Sequence, residues 1–297
     1  MTASAVVYGA SPVKRERRTK TEVAELRATI ARLLERSHPM TVRQVFYQLV
    51  SRNLIKKTEG EYKATVCRLL AKMRRDGQIP FRYIADNTRW QRKPTTFGSL
   101  SQALRQTVRT YRRAVWDAQT VDVEVWLEKD ALSGVLYEET AAWDVPLMVT
   151  RGYPSLSFLH GAAEDISLSR KPTYLYYFGD HDPSGVDIPR RIERDIRTFA
   201  PWSEIHFERV AVTPEQIVML DLPTRPTKTT DSRSRDFEGE SVEVDAIDPD
   251  TLRELVRDCI IRHIDKGEYD RMQGIEREER AVLEELYRKW PATGGAA

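Results

Sequence analysis

The feature that most constrains the fold is the run Thr173 to Phe178, TYLYYF, in which the apolar and aromatic side chains do not alternate with polar ones. A strand of this kind is buried on both faces, which is typical of a parallel sheet flanked by helices. Gly179 ends the run, and Asp180 and Asp182 follow. Acids at the carboxyl end of a central strand point into the crevice where open α/β sheets bind ligands. Because two adjacent acids repel each other unless a cation joins them, this stretch is either a cation site or a solvated loop with an Asx turn.

The second half of the chain repeats strand and helix patterns in turn. An alternating strand pattern after Thr120 ends at Glu128, and the segments PLMVTRG and IHFERVAV supply further strand patterns, with helical segments between them. Strands separated by helices of this length form βαβ units. The sequence therefore predicts an α/β fold with a parallel central sheet, in which Glu128 ends a strand near Asp180 and Arg151 is available to a phosphate.

The first part of the chain is predicted to be helical. Apolar residues recur at helical spacing from Thr21 to Ser37, again after Thr41, and from Glu59 to Arg75. The segment IPFRYIA then alternates as a short strand would. Three helices followed by a strand predict a winged helix-turn-helix, a common DNA-binding unit. The arginine-rich segment Leu100 to Gln119 predicts one more amphipathic helix.

The second of these helices carries a tyrosine outside its apolar stripe. That stripe consists of Val42, Val45, Phe46 and Leu49. Tyr47 lies on a polar flank with Arg43 and Ser51, so its hydroxyl is expected to face solvent or a ligand. The alternative is a tyrosine that only packs in the core or on the surface.

The net charge of +2 conceals an uneven distribution. Residues 1–120 carry 25 Lys and Arg against 9 Asp and Glu, a net +16, and residues 121–297 carry 22 against 36, a net −14. A basic half of this kind either binds a polyanion or is a solvated basic surface. For a DNA phosphate backbone, the candidate contacts are Lys63, Arg68, Lys72, Arg75, Arg109, Arg113 and Arg151.

The cysteines, the histidines and the absence of some common motifs from the sequence exclude several kinds of binding site. Cys67 and Cys259 are too few for a disulfide framework or a cysteine zinc site, and the five histidines lack metal-ligand spacing. The common phosphate-binding loops of ATP and dinucleotide proteins do not occur in the sequence. No apolar run approaches the ~20 residues of a membrane span, so we expect no membrane partner and a cytoplasmic location. Oxygen ligands such as Glu128, Asp180 and Asp182 suit Mg²⁺.

At these residues the sequence resembles the Toprim domain, whose signature is a glutamate on one strand and a DxD on a later one. The segments WLEKDAL, TRGYPS and GDHDPSGVDI look like the corresponding stretches of the topoisomerase VI A subunit and the related meiotic double-strand-break proteins. Upstream, TVRQVFY is similar to the tyrosine motif of this family, with Tyr47 on the catalytic tyrosine. The segment VEVDAI looks like its later acidic motif, which implies that Glu243 lies near the site. The resemblance covers about residues 20–265.

The resemblance implies metal-dependent DNA strand cleavage. In this scheme Tyr47 attacks a phosphodiester with help from Arg43, and Mg²⁺ or Mn²⁺ is held by Glu128, Asp180 and Asp182. It also implies a homodimer on double-stranded DNA, a nucleoid-associated location, and a separate subunit for any ATP dependence. Two alternatives remain: a Toprim nuclease that uses metal-activated water, and a DNA-binding subunit of a break or topoisomerase complex without turnover.

Four regions follow from these patterns. We expect a disordered basic arm at 1–20, a winged-helix domain with a linker helix at 21–119, a Toprim-type α/β domain at 120–268, and a C-terminal helix and tail at 269–297. The composition changes at Thr120, where the basic helical part gives way to the strand patterns.

Overall fold

The computed structural model describes residues 18–85, 94–226, 237 and 239–289. The predictions for most of the basic arm, for parts of the linker after the third helix, for much of the polar loop after Leu222 and for the C-terminal tail lie outside the described residues.

The N-terminal part is helical, as the sequence predicts. Their bounds are α1 Lys20–Arg36, α2 Val42–Ser51, α3 Glu59–Glu61 and α4 Arg68–Arg75. Thr19 and Thr41 each accept a hydrogen bond from the backbone amide three residues later and so cap α1 and α2. A π-helical turn, Tyr62–Cys67, joins α3 to α4, so the chain is helical throughout the predicted third helix.

The strand predicted at IPFRYIA is absent from this described segment, and that prediction was wrong. Phe81–Tyr83 form a 3₁₀ turn, and only a single parallel bridge joins Met40 to Ile84. A β-strand needs a partner strand that pairs with it over several residues. Met40 lies between Pro39 and Thr41, the capping residue of α2, so only Met40 can pair with this segment. The alternation of IPFRYIA also fails at Phe81, whose side chain is exposed.

The remaining chain forms an α/β layer structure with a sheet of four parallel strands, which confirms the predicted class. The strands are β1 Asp122–Leu127, β2 Leu147–Val149, β3 Thr173–Phe178 and β4 Ile205–Ala211, in the order β2-β1-β3-β4. The helices are α5 Leu100–Thr110, α6 Ser133–Ala142, α7 Leu156–Ser169, α8 Pro183–Phe199, α9 Pro214–Met219, α10 Pro249–Ile261 and α11 Lys266–Lys289.

Side chains on the two faces of β3 enter two different cores, as expected for a strand buried on both faces. Leu175 and Tyr177 pack with α7 and α8 on one face. Tyr176 and Phe178 face the other core, which also contains residues of α6 and α10 and runs on into α1, α2 and α4. The N-terminal helices therefore share a hydrophobic core with one face of the sheet.

The strand order brings the candidate acids together. β1 connects to β2 on one side of the sheet, whereas β3 lies on the other side of β1 and connects onward to β4. Ligands of open α/β sheets bind at such a reversal of strand order, outside the carboxyl ends of the strands. Leu127 and Phe178 are paired in register at the ends of β1 and β3, so the residues after them are neighbours.

No helix in the described parts of the chain has the length and apolar character needed to cross a bilayer.

Candidate functional site

A cavity of about 770 Å³ lies between the N-terminal helices and the carboxyl edge of the sheet. Its acidic lining comes from Glu128, Asp130, Asp180, Glu243 and Asp245, and its cationic lining from Arg43, Arg74, Lys129 and Arg151. Thr41 and Tyr62 also line it, so α2 and the π-helical turn form part of the wall. The cavity is thus an acidic recess with arginines around it.

Glu128 follows β1 and turns its carboxylate toward the end of β3. Its Oε2 atom accepts hydrogen bonds of 3.1 Å from both the amide of Asp180 and the hydroxyl of Tyr177. Burial, and secondarily the negative charge of Asp180, raise the pKa of Glu128 to about 7. Among the described residues no lysine or arginine nitrogen lies within 4.0 Å of this carboxylate. Glu128 therefore has two hydrogen-bond donors but no ion-pair partner among the described residues, and its raised pKa leaves it only partly ionised near neutral pH.

Asp180 is 7% exposed and is the central acid of the site. Its Oδ1 atom accepts a hydrogen bond of 2.9 Å from the amide of Val244 and lies 2.9 Å from Lys129 Nζ. Burial raises the pKa of Asp180, while the ammonium of Lys129 and the amide of Val244 oppose the rise. The two predicted acids at the ends of β1 and β3 are thus adjacent, as expected.

Two glycines allow this close approach. A Cβ atom at Gly179 would overlap the Glu128 carboxylate, and a Cβ atom at Gly185 would overlap the backbone carbonyl of Asp180. Any larger residue would have to push the acids or the start of α8 apart.

Asp182 has a different role from the other two predicted acids. Its Oδ1 atom accepts a hydrogen bond of 2.8 Å from the amide of Gly185 and caps α8, and its Oδ2 atom lies 3.7 Å from Arg225. Asp182 is not part of the cavity lining.

Within the residues that the structure describes, no three His, Cys, Asp or Glu side chains converge as a metal centre. Glu128 and Asp180 are two neighbouring acids, and Mg²⁺ in proteins often binds through one or two carboxylates and water.

Glu243 and Asp245 enter the site from a later segment of the chain. His181 forms an antiparallel bridge with Val242, and this bridge brings the segment beside Asp180. Glu243 is 7% exposed and Asp245 is 3% exposed. The resemblance in sequence implied that Glu243 lies near the site, and in the structure Glu243 lines the cavity. Asp245 was missed, although VEVDAI alternates acids with valines and so places both acids on one side.

Lys129 is the second residue that sequence analysis missed. Its ammonium lies 2.8 Å from Asp245 Oδ2, 2.9 Å from Asp180 Oδ1 and 3.3 Å from Glu243 Oε2. Burial opposes the charged form, but the three carboxylates outweigh burial and raise the pKa of Lys129. A lysine directly after the acid at a strand end is the available signal, but the sequence alone does not place three later acids around it.

Arg43 and Tyr47 lie in α2 but in different surroundings. Arg43 Nε lies 3.5 Å from Glu243 Oε2, and the guanidinium lies 4.4 Å from the ring centre of Tyr62. Burial would lower the pKa of Arg43, but Glu243 outweighs it and the pKa is raised. The predicted residue Arg43 therefore lines the cavity and contacts one of its acids.

The expectation that Tyr47 presents a free hydroxyl on a polar flank was wrong. Tyr47 is 2% exposed, because α2 is buried on most sides and the 3₁₀ turn Val244–Ala246 packs against it. Lys57 Nζ lies 5.4 Å from its ring centre. Burial, followed by the charge of Glu243, raises the pKa of Tyr47, so its proton is held more tightly than in water. Whether Tyr47 is catalytic stays a prediction.

The candidate DNA contacts fall into three settings. Lys63, Arg68, Lys72 and Arg75 lie on the outer side of the third helical segment, where Lys63 pairs with Glu59 and Lys72 with Asp76, each at 3.2 Å. Arg109 is exposed on α5, whereas Arg113 Nη1 lies 2.6 Å from Glu279. Arg151 is exposed beside the cavity and pairs with Asp130 at 2.9 Å. Exposed surface ion pairs of this kind are weak and can yield to a phosphate.

Comparison of the chain with known protein families and with curated proteins finds no match.

Proposed function

We propose that this protein cleaves DNA strands in the cavity at the carboxyl edge of the sheet, with Mg²⁺ or Mn²⁺ bound near Glu128 and Asp180. The observation that carries the proposal is the Glu128 carboxylate, which has no ion-pair partner among the described residues and lies beside Asp180 on the wall of a cavity that also presents Arg43, Arg74 and Arg151. Buried adjacent acids recruit a cation, and arginines that line a cavity recruit a phosphate.

Each group has a separate task in this proposal. Glu128 and Asp180 hold the cation, which when bound neutralises the phosphate and the leaving oxygen. Arg151 is exposed and lies on the same wall, so it binds a phosphate that enters from solvent. Arg43 lies between the acids and the ring of Tyr62 and orients the phosphodiester from the α2 side.

The topoisomerase VI A-like form of the proposal uses Tyr47 as the nucleophile. The phenol oxygen forms a bond to phosphorus, the bond from phosphorus to a sugar oxygen breaks, and the phenol proton is transferred to the leaving group by way of water. The positive charges of Lys129 and Arg43 oppose the rise in the pKa of Tyr47, but burial and the charge of Glu243 outweigh them, so this route needs a further step that activates the phenol. Because Tyr47 is buried, this route requires α2 to move or a second subunit to rearrange the wall.

The hydrolytic form uses a metal-activated water instead, as in other Toprim enzymes. It is the route that fits this conformation better, because the cavity reaches Glu128 and Asp180 but not the ring of Tyr47. Its products carry free ends, whereas the tyrosine route leaves protein attached to DNA.

The same proposal identifies the two domains and the binding partners of the protein. We take residues 21–119 as a DNA-binding domain related to winged helices and residues 120–268 as a Toprim domain. Support comes from the parallel sheet with acids at the ends of β1 and β3 and from the basic third helical segment. Double-stranded DNA, a homodimer and a separate ATPase subunit are the partners that this assignment implies.

The test is incubation of the pure protein with supercoiled plasmid and Mg²⁺ or Mn²⁺, followed by electrophoresis with and without protease. Nicked or linear plasmid should form with wild type and be absent with Glu128→Gln and Asp180→Asn. Glu164→Gln, on an exposed face of α7, is the matched control and should cut normally. Products that enter the gel only after protease support the tyrosine route, and free products support hydrolysis. If the protein binds DNA but does not cut it, the result supports the remaining alternative, a DNA-binding subunit without catalytic activity.

The DNA surface has its own test. Log affinity should fall with log salt concentration at about −0.9 per phosphate contact. Reversing Lys63, Arg68, Lys72 and Arg75 to Glu should flatten that slope, because all four side chains of the third helical segment are exposed to solvent. An unchanged slope would remove this segment from the DNA-binding surface.

A further inference from the structure

We propose that Lys129 is a built-in counter-cation of the site, which holds Asp180, Glu243 and Asp245 together and limits the affinity of the site for a divalent metal. This inference rests on the proposed function in one respect, namely that Glu128 and Asp180 are the metal ligands. It concerns a positioning residue and not a group that reacts.

The geometry of Lys129 is that of a bound cation. Its ammonium contacts one carboxylate oxygen from each of three acids, at 2.8, 2.9 and 3.3 Å. These acids come from two separate segments, one after β3 and one in the turn before α10. An ammonium has three hydrogens, so each hydrogen has a carboxylate acceptor, and its side chain is only 23% exposed.

The acids around Lys129 are largely neutralised without a metal. Asp180, Glu243 and Asp245 face three cations, since Arg43 and Arg225 also contact Glu243, at 3.5 and 3.1 Å, and Arg225 is shared with Asp182 at 3.7 Å. Glu128 is the acid left over on the cavity wall, with no cation beside it among the described residues. A divalent ion that binds Glu128 and Asp180 must therefore share Asp180 with an ammonium already in contact with it.

Removing the ammonium should change metal binding in a defined direction. Two like charges a few ångströms apart repel each other strongly in a partly buried site. Lys129→Met keeps an unbranched side chain that is one atom shorter and removes the charge, so a divalent cation no longer meets that repulsion. We expect the affinity for Mn²⁺ to rise by about tenfold or more, and the metal-free protein to melt at a lower temperature because three carboxylates lose their shared partner.

The experiment measures Mn²⁺ binding by isothermal calorimetry and the melting temperature with and without Mn²⁺, on the full chain without DNA. Lys129→Arg keeps the charge and should bind Mn²⁺ like wild type. Lys171→Met is the matched control, because Lys171 has a similar exposed fraction, 26%, and pairs with Asp122 at the opposite edge of the sheet. It should not alter Mn²⁺ affinity.

A second variant keeps the inference testable if Lys129→Met does not fold without metal. Lys129→Met combined with Asp245→Asn removes one positive and one negative charge, so it should regain thermal stability and still bind Mn²⁺ more tightly than wild type. Equal or weaker Mn²⁺ binding by both variants would overturn the inference.

The outcomes separate this inference from the proposed function. Tighter Mn²⁺ binding by Lys129→Met without any plasmid cutting by wild type supports the counter-cation and contradicts strand cleavage. Plasmid cutting by wild type with unchanged Mn²⁺ affinity in Lys129→Met supports cleavage and contradicts the counter-cation. Loss of all Mn²⁺ binding in wild type and variants alike contradicts both.

Discussion

The hydroxyl of Thr41 donates a hydrogen bond of 3.1 Å to Asp245 Oδ1 and links the first turn of α2 to the acid cluster. Thr41 is also the capping residue of α2. Because Asp245 in turn contacts Lys129, the position of α2 and the arrangement of the acids are coupled. Any movement of α2 that uncovers Tyr47 must therefore break or shift this contact.

Tyr47→Phe should separate a chemical role of this tyrosine from a packing role. The ring is 2% exposed and packs edge-on against Phe46, so the phenylalanine variant should fold with nearly the same melting temperature. Tyr47→Ala should lose about 3–5 kcal/mol of stability because it leaves a large cavity. If the tyrosine route operates, Tyr47→Phe loses protein-linked DNA. Tyr62→Phe is the matched control, and retained linkage in Tyr47→Phe would exclude the route.

Asp182 can be tested as a cap and as a ligand at the same time. Asn is a good N-cap, so Asp182→Asn should preserve the start of α8 and change the stability little, whereas Asp182→Ala should lose about 1 kcal/mol. The free energy of unfolding in urea measures both. Normal plasmid cutting by Asp182→Asn would mean that Asp182 acts as a cap alone, and loss of cutting with unchanged stability would restore it as a metal ligand.

Gly185→Ala should damage the site, whereas Gly161→Ala should not. A Cβ atom at Gly185 overlaps the Asp180 carbonyl, which is backbone and cannot rotate away. At Gly161, inside α7, an added Cβ meets nothing within 4 Å, and replacing a helical glycine should stabilise the protein by about 0.5–1 kcal/mol. Thermal melting of the two variants should shift in opposite directions. A stabilised Gly185→Ala would contradict the close approach described here.

The buried carboxyl group of Glu124 should make the free energy of unfolding depend on pH, whether or not a metal is bound. It is 9% exposed, and burial raises its pKa from 4.5 to about 7. Between these values the folded chain binds a proton that the unfolded chain does not, so this group lowers the free energy of unfolding as pH rises. Glu124→Gln keeps an acceptor for the Trp126 indole N–H, which donates to Glu124 Oε2 at 2.8 Å.

The measurement is urea unfolding of wild type and Glu124→Gln at pH 5 and pH 8. The stability of the variant relative to wild type should increase by about 2–3 kcal/mol between the two. Glu164→Gln, at an exposed position, should show no such change. A constant difference for Glu124→Gln would mean that Glu124 titrates at its ordinary pKa.

The parts of the fold that local pattern determines were predictable. The unbroken apolar run of β3 identified a strand buried on both faces, and the helices between strands identified a parallel sheet. Strand ends carrying Glu128 and Asp180 then had to be neighbours, which the register of Leu127 with Phe178 confirms. The strand at IPFRYIA failed because alternation does not supply a partner strand.

The parts of the site that depend on distant segments were not predictable from spacing. Helical periodicity placed Tyr47 outside the stripe of α2, but the turn Val244–Ala246, about two hundred positions later, covers that flank. The same turn supplies Asp245 and so determines where Lys129 lies. The contact of this turn with α2 therefore explains why the exposure predicted for Tyr47 was wrong. It also explains why the sequence did not identify Lys129 as a residue of the site.

The packing of α5 against α11 has a consequence for how polyanions meet this protein. Arg113 donates its backbone amide to Glu276 and its guanidinium to Glu279, Tyr111 donates its hydroxyl to Glu279, and Arg105 reaches Tyr287. Glutamates of α11, the C-terminal helix, thus occupy Arg113 as the phosphates of a polyanion would. If the proposed DNA binding uses Arg113, the nucleic acid must compete with these glutamates. The positive charge open to a polyanion is therefore smaller than the composition of the basic half suggests.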